Sequence, residues 1–194
     1  MNVAIIDYGA GNTRSLQFAL ERLGVSSVLT ADSDIIQHAD KVIFPGQGAA
    51  QSAMEKLKQK KLDLLLPELT QPVLGICLGM QLLCEQTEEG NVNGLGILST
   101  TVKRFSSQVK VPQMGWNSIQ NLASPLFEHL SPGAFMYLVH SYFVPIVPET
   151  IAQSNYDGLY SVAVQKRNFF GVQFHPEKSS KAGQVVLQNF LSLP

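Results

Sequence analysis

The chain has 194 residues, 45% hydrophobic and 15% charged, a balance that points to one globular domain over residues 1–194 and excludes a disordered or low-complexity protein. Fourteen basic residues stand against fifteen acidic ones, for a formal net charge of −1. Apart from the run Lys56, Lys58, Lys60 and Lys61 the basic residues are scattered, so no nucleic-acid partner is expected. That run reads as the solvated face of a helix.

Met1–Asp7 lacks a basic start followed by an apolar signal core, and no apolar stretch approaches the ~20 residues that cross a bilayer. A cytoplasmic location without membrane contact is the expectation. The two cysteines are Cys77 and Cys84. If a helix joins them, their Cα atoms lie roughly 10 Å apart, too far for a disulfide.

In chain order, strands are expected at Val3–Asp7, Ser27–Thr30, Lys41–Phe44 and Val73–Ile76. Between the first two, Leu16, Ala19, Leu20 and Leu23 recur at helical spacing, with Gly24 as C-cap. A second helix is predicted over Ala50–Lys61, and a third from Leu78 through Cys84. From Gly90 onward the texture turns β-rich, with segments at Leu95–Thr101, Met136–Val139, Ile151–Ser154, Tyr160–Lys166 and Phe170–Phe174. The last two form an antiparallel hairpin around Asn168, and a helix over Lys181–Leu191 closes the chain. The pattern predicts an α/β fold: a flavodoxin-like three-layer sandwich on a mostly parallel sheet, with antiparallel β-rich additions in the second half.

The sharpest motif is Gly75-Ile76-Cys77-Leu78-Gly79-Met80-Gln81, where an apolar strand meets a helix. This is a nucleophile-elbow pattern with cysteine in the serine position. Small residues on both sides let neighbouring elements approach, and a helix beginning at the sulfur favours a thiolate. The N–H of Leu78 is a natural oxyanion donor. Cys84, among leucines, reads as structural.

A thiol nucleophile needs a base, and the candidates are His38, His129, His140 and His175. In Gly171–Glu177, Val172 and Phe174 point to one face while Gln173 and His175 point to the other. Glu177 can return in an extended segment to orient the His175 imidazole. His140 is the second choice of base, and His38 and His129 read as surface residues. In Val42–Gly48, glycines flank Gln47 at a strand end, which suits its N–H as a second oxyanion donor. Asp7–Asn12 suggests a dinucleotide loop, but Arg14 stands where the fingerprint needs glycine. No His/Cys/Asp/Glu group has metal-ligand spacing. Neither cofactor nor metal is expected.

Taken together, the Cys77 and His175-Pro176-Glu177 motifs resemble the class I (triad) glutamine amidotransferases. Asp7–Asn12, Pro45-Gly46-Gln47-Gly48, Val111–Asn117, His140-Ser141-Tyr142 and Lys178-Ser179 extend the likeness to the glutaminase branch that serves imidazole glycerol phosphate synthesis in histidine biosynthesis. The resemblance implies a triad of Cys77, His175 and Glu177 that hydrolyses glutamine through a cysteinyl thioester. It implies a substrate pocket of Gly48, Gln81, Glu89, Ser141 and Tyr142. It also implies a heterodimer with a separate (β/α)₈-barrel cyclase subunit that receives the ammonia and docks near Gln113, Met114, Trp116, Asn117 and Lys178. Two positions depart from the family pattern: Gln47 replaces a small apolar residue, and Gln113 stands where histidine is common. The rival readings are a pyridoxal phosphate synthase glutaminase, against which Met114–Asn117 and Asp7–Asn12 argue, and a flavodoxin-like module with Cys77 as a redox sensor. The second leaves Gln81 and Glu177 without a purpose.

Overall fold

In the computed structural model, which describes residues 1–9 and 12–194, the first half runs β1 (Val3–Ile6), α1 (Thr13–Arg22), β2 (Ser27–Thr30), α2 (Ser33–Gln37), β3 (Lys41–Gly46), α3 (Ala50–Gln59), α4 (Leu62–Leu65), β4 (Val73–Cys77) and α5 (Leu78–Leu82). Ala10 and Gly11 of the Asp7–Asn12 motif lie outside the described residues. The βαβ opening follows the expected pattern: Leu16, Ala19 and Leu20 bury one stripe of α1. Gly24 follows the helix at φ +76, where a side chain would be strained. Two short helices, α2 and α4, escaped the sequence reading because five and four residues cannot display a helical period. The usable signal for α2 was its cap, Asp32, whose carboxylate accepts the N–H groups of Asp34 and Ile35.

The second half runs β5 (Cys84–Thr87), β6 (Val92–Asn93), β7 (Leu98–Arg104), β8 (Gln113–Ser118), β9 (Phe135–His140), β10 (Tyr142–Phe143), β11 (Thr150–Asn155), β12 (Leu159–Lys166), β13 (Phe169–Val172) and α6 (Ser180–Ser192). The main sheet has the order β11-β12-β13-β4-β3-β1-β2. Its strands from β13 to β2 are mutually parallel, and β12 and β11 extend it antiparallel through the expected hairpin.

Parallel strands buried on both faces read as continuous apolar runs, and each face gathers its own core. Val3, Ile5, Ile43, Leu74 and Ile76 pack with α1 and α6 through Leu16, Leu20, Val186 and Phe190. The alternate residues Ala4, Ile6, Val42, Phe44 and Val73 pack on the other side with Met54, Leu57, Leu78 and Leu82 of α3 and α5. A four-stranded sheet, β10-β7-β5-β6, and the hairpin β8-β9 complete the described fold.

Four expectations require correction. The helix predicted from Leu78 through Cys84 stops at Leu82, and Cys84 opens β5. The incoming chain decides this: Leu95 and Leu98 donate their N–H groups to the carbonyls of Leu82 and Leu83 at 2.8 and 2.9 Å. The same bonds delay the strand expected from Leu95, which begins at Leu98 and runs on to Arg104. The helical spacing invoked for the two cysteines therefore does not apply, although both are free thiols. Lastly, β13 ends at Val172, and His175 caps a 3₁₀ turn over Pro176–Lys178, so Glu177 lies in a turn and not in an extended segment.

The lysine run is exposed apart from half-buried Lys56. Two of its members also tie α3 to the first loop, with Lys56 Nζ donating to the Gly9 carbonyl and Lys60 Nζ to that of Asp7.

Candidate active site

The carboxyl ends of β3, β4 and β13 form one edge, where ligands of open α/β sheets bind. Register pairs Gly46 with Cys77 and Ile76 with Val172, so the loops leaving all three strands begin at the same level. Cys77 turns the chain from β4 into α5 at φ 54 and ψ −111, a conformation a non-glycine residue holds only when its surroundings impose it. Glycines make that possible. A Cβ on Gly79 would collide with the Phe44 carbonyl, one on Gly46 would lie 2.5 Å from the Gly79 nitrogen, and one on Gly75 2.9 Å from the Gly79 carbonyl. Helix α5 thus rests backbone to backbone on β3 and β4.

Beyond β13, Phe174 is buried in the core while His175 faces the cysteine's edge. The turn at Pro176 brings Glu177 back, and its Oε1 lies 2.9 Å from His175 Nδ1, with both side chains 4% exposed. The turn is itself held. His175 N–H donates to the Tyr137 carbonyl at 2.9 Å, and Ser179 Oγ accepts from the Tyr137 N–H while donating to the His175 carbonyl. Burial alone would push the imidazole down, but Cys77 and Glu177 beside it favour the cation, and His175 is raised to about 10. Nδ1 is occupied by Glu177, which leaves Nε2 for chemistry, and it has no hydrogen-bond partner among the described residues. Cys77 Sγ lies 3.8 Å from the Val139 carbonyl oxygen and 3.7 Å from Gln173 Nε2.

A pocket of about 410 Å³ opens over the sulfur. Of the residues expected there, it brings together Cys77, Leu78, His175, Gln47, Gly48, Gln81, Glu89, Ser141 and Tyr142; Glu177 stands behind His175 and outside it. Glu89 Oε2 caps α3 by accepting the Ala50 N–H at 3.0 Å. Pro112 and Val139 also line the pocket and were not expected to, and so does His140, the second choice of base. His140, the alternative base, is buried. Its Nδ1 donates to the Tyr142 carbonyl at 2.8 Å, and desolvation lowers it to about 4 despite that bond. Such a group stays neutral at pH 7 and shapes the wall. His38 and His129 lie exposed and do not line the pocket.

This arrangement can perform acyl transfer by a thiol. The family model for class-I glutamine amidotransferases matches residues 4–193. The chain belongs to the class-I glutamine amidotransferase family. Among relatives of this amidotransferase, the imidazole glycerol phosphate synthase subunit HisH of Bacteroides thetaiotaomicron is 53% identical, and that of Escherichia coli K12 46% identical, each aligned over all of both chains. The solved structure of PurLQS from Thermotoga maritima superimposes with a TM-score of 0.74 over 98% of this chain and 97% of that one, at 20% identity, a likeness of fold.

The expected docking residues of the amidotransferase divide between the two faces of β8. Gln113 is a correction: it is buried, and its Oε1 accepts from Tyr160 Oη at 3.1 Å, so its side chain offers nothing to a partner. Asn117, on the same side, donates to the Asn155 carbonyl. Met114 and Trp116 point outward, 66% and 53% exposed, beside Phe135 at 59%. Lys178 Nζ lies 6.0 Å from the Tyr137 ring centroid on that outer face. Among the described residues no helix is long and apolar enough to cross a membrane, and no His/Cys/Asp/Glu group has metal-site geometry.

Proposed function

We propose that residues 1–194 form one glutaminase domain, the ammonia-producing subunit of an imidazole glycerol phosphate synthase, with Cys77 as nucleophile, His175 as acid and base, and Glu177 as its orienting carboxylate. The Cys77 thiolate attacks the side-chain amide carbon of glutamine, and the oxyanion is met by the N–H groups of Gln47 and Leu78. His175 gives its proton to the departing ammonia. Water, deprotonated by His175, then hydrolyses the γ-glutamyl thioester and frees glutamate. Glu89 and Gln81 Oε1 supply acceptors for the α-ammonium of glutamine, and the main chain at Gly48, Ser141 and Tyr142 lines the rest of its site. The ammonia passes to a (β/α)₈-barrel cyclase that docks on the outer face of Met114, Trp116 and Lys178.

The observation that carries this reading is the single pocket shared by Cys77, His175, Gln81 and Glu89. The test is glutamate release from glutamine by the isolated chain and by the chain with the barrel subunit, along with the barrel's product. Glutamate release that rises on assembly is the expected outcome. A complex that makes product only from ammonium salts overturns the assignment.

A further inference from the structure

Gln173 has no part in the mechanism above, yet it is fully buried against the nucleophile. Its place follows from register: the pairing of Val172 with Ile76 carries the next residue, Gln173, alongside Cys77. Gln173 Nε2 lies 3.7 Å from Cys77 Sγ, and its Oε1 accepts from Gln81 Nε2 at 2.9 Å. The Gln81 nitrogen also donates to the Tyr142 carbonyl at 2.8 Å.

These contacts leave one consistent orientation for both amides. A main-chain carbonyl only accepts, so the Gln81 nitrogen must face Tyr142. That nitrogen then meets Gln173 as a donor, so Gln173 presents oxygen to Gln81 and N–H to the sulfur. Both Gln81 N–H groups are thereby used. The two neighbours of the sulfur suit different protonation states. The Val139 carbonyl can accept from a thiol but offers nothing to a thiolate, whereas an amide N–H stabilises the anion.

We propose that Gln173 is a positioning residue for the glutaminase reaction, its amide N–H holding the Cys77 sulfur as a thiolate in line for attack, with Gln81 setting the direction of that amide. This rests on the function proposed above for Cys77. An isosteric Gln173→Glu keeps the acceptor toward Gln81 but turns a carboxylate oxygen toward the sulfur. Gln173→Met keeps the volume and removes both polar atoms.

The test is the rate of Cys77 alkylation by iodoacetamide at pH 7, assigned by peptide mass spectrometry, which needs no glutamine. Gln173→Glu should slow labelling by on the order of tenfold or more, Gln173→Met by less, and kcat for glutamine should fall with KM little changed. A folded Gln173→Glu protein that labels at the unsubstituted rate overturns the proposal, as does an equal loss in both variants, the mark of a packing role. Should Gln173→Glu fail to fold, the unsubstituted protein decides. With ¹⁵N-glutamine labelling, the Gln173 side-chain amide should shift when Cys77 is alkylated, and an unmoved resonance rejects the contact. Normal alkylation behaviour with no glutamate release would reject the glutaminase function and leave the contact standing.

Discussion

His175 and Glu177 meet at 2.9 Å from within a single 3₁₀ turn, only two residues apart in sequence. The turn bends the chain so that the carboxylate reaches Nδ1, and Nε2 is left over the pocket. The proposed base and its orienting group thus come from one short segment, which the Tyr137 main chain of β9 braces.

Substitutions within this pair should be graded. His175→Ala removes the proton carrier and should lower kcat for glutamine by roughly 10²–10⁴. Glu177→Gln keeps an acceptor for Nδ1 and loses only the charge, so its loss should be smaller. Single-turnover thioester formation in both folded variants measures this, and equal losses would assign Glu177 a different role.

Cys77→Ala should abolish glutamine hydrolysis while leaving the assembled enzyme able to use ammonium salts. Cys84→Ala should keep activity. Cys84 is fully buried and desolvation pushes its thiol up to about 12, so the cost should appear as about 1 kcal/mol of stability. Rates with glutamine and with ammonium, set beside urea unfolding, separate the two cysteines.

Backbone contact makes Gly79 intolerant of substitution. Gly79→Ala drives a methyl group into the Phe44 carbonyl, and forcing α5 off β3 should cost about 1–3 kcal/mol and displace the elbow. A variant with native stability and full activity would show that α5 can shift freely.

How much of this was legible beforehand differs by feature. Strand order in the opening βαβ unit follows from apolar runs and helical spacing, both local signals. So does the elbow. The pairing of His175 with Glu177 was legible as a motif, but the 3₁₀ turn that makes it was not, because an extended segment was expected there. The contact of Gln173 with Cys77 spans 96 positions and depends on the register of β13 against β4, which no periodicity records. Gln113 was misplaced for a related reason: which face of β8 turns inward depends on its pairing with β9. Cys84 sits in a leucine-rich run that locally favours helix. Backbone donors from Leu95 and Leu98 override it, and their arrival cannot be read from the run itself.

Buried His140 should give stability an acid limb. Its folded value, about 4, lies below the ordinary 6.5, so between those values the unfolded chain binds the extra proton and stability falls as pH drops. The full shift corresponds to roughly 3 kcal/mol. Urea unfolding from pH 6.5 to 4 should show this decline, and His140→Gln should flatten it. An unchanged slope in the variant would place the acid limb elsewhere.

The outward face of β8 and β9 should bind the partner. Trp116→Ala should weaken assembly by about 2 kcal/mol, close to thirtyfold in Kd, and Met114→Ala by less. Isothermal titration against the barrel subunit measures both, and undiminished affinity in the double variant would move the interface to another surface.

Strand β9 carries two loads on six residues. Its Tyr137 main chain braces the His175 turn, its Val139 carbonyl touches the sulfur, and its outward side chains flank Trp116. With the proposed interface on this face, damage to the strand should register in assembly assays and in hydrolysis assays at once. The two losses come apart only when outward side-chain truncations, which leave the strut intact, are set against a proline at Tyr137, which removes the N–H that Ser179 holds.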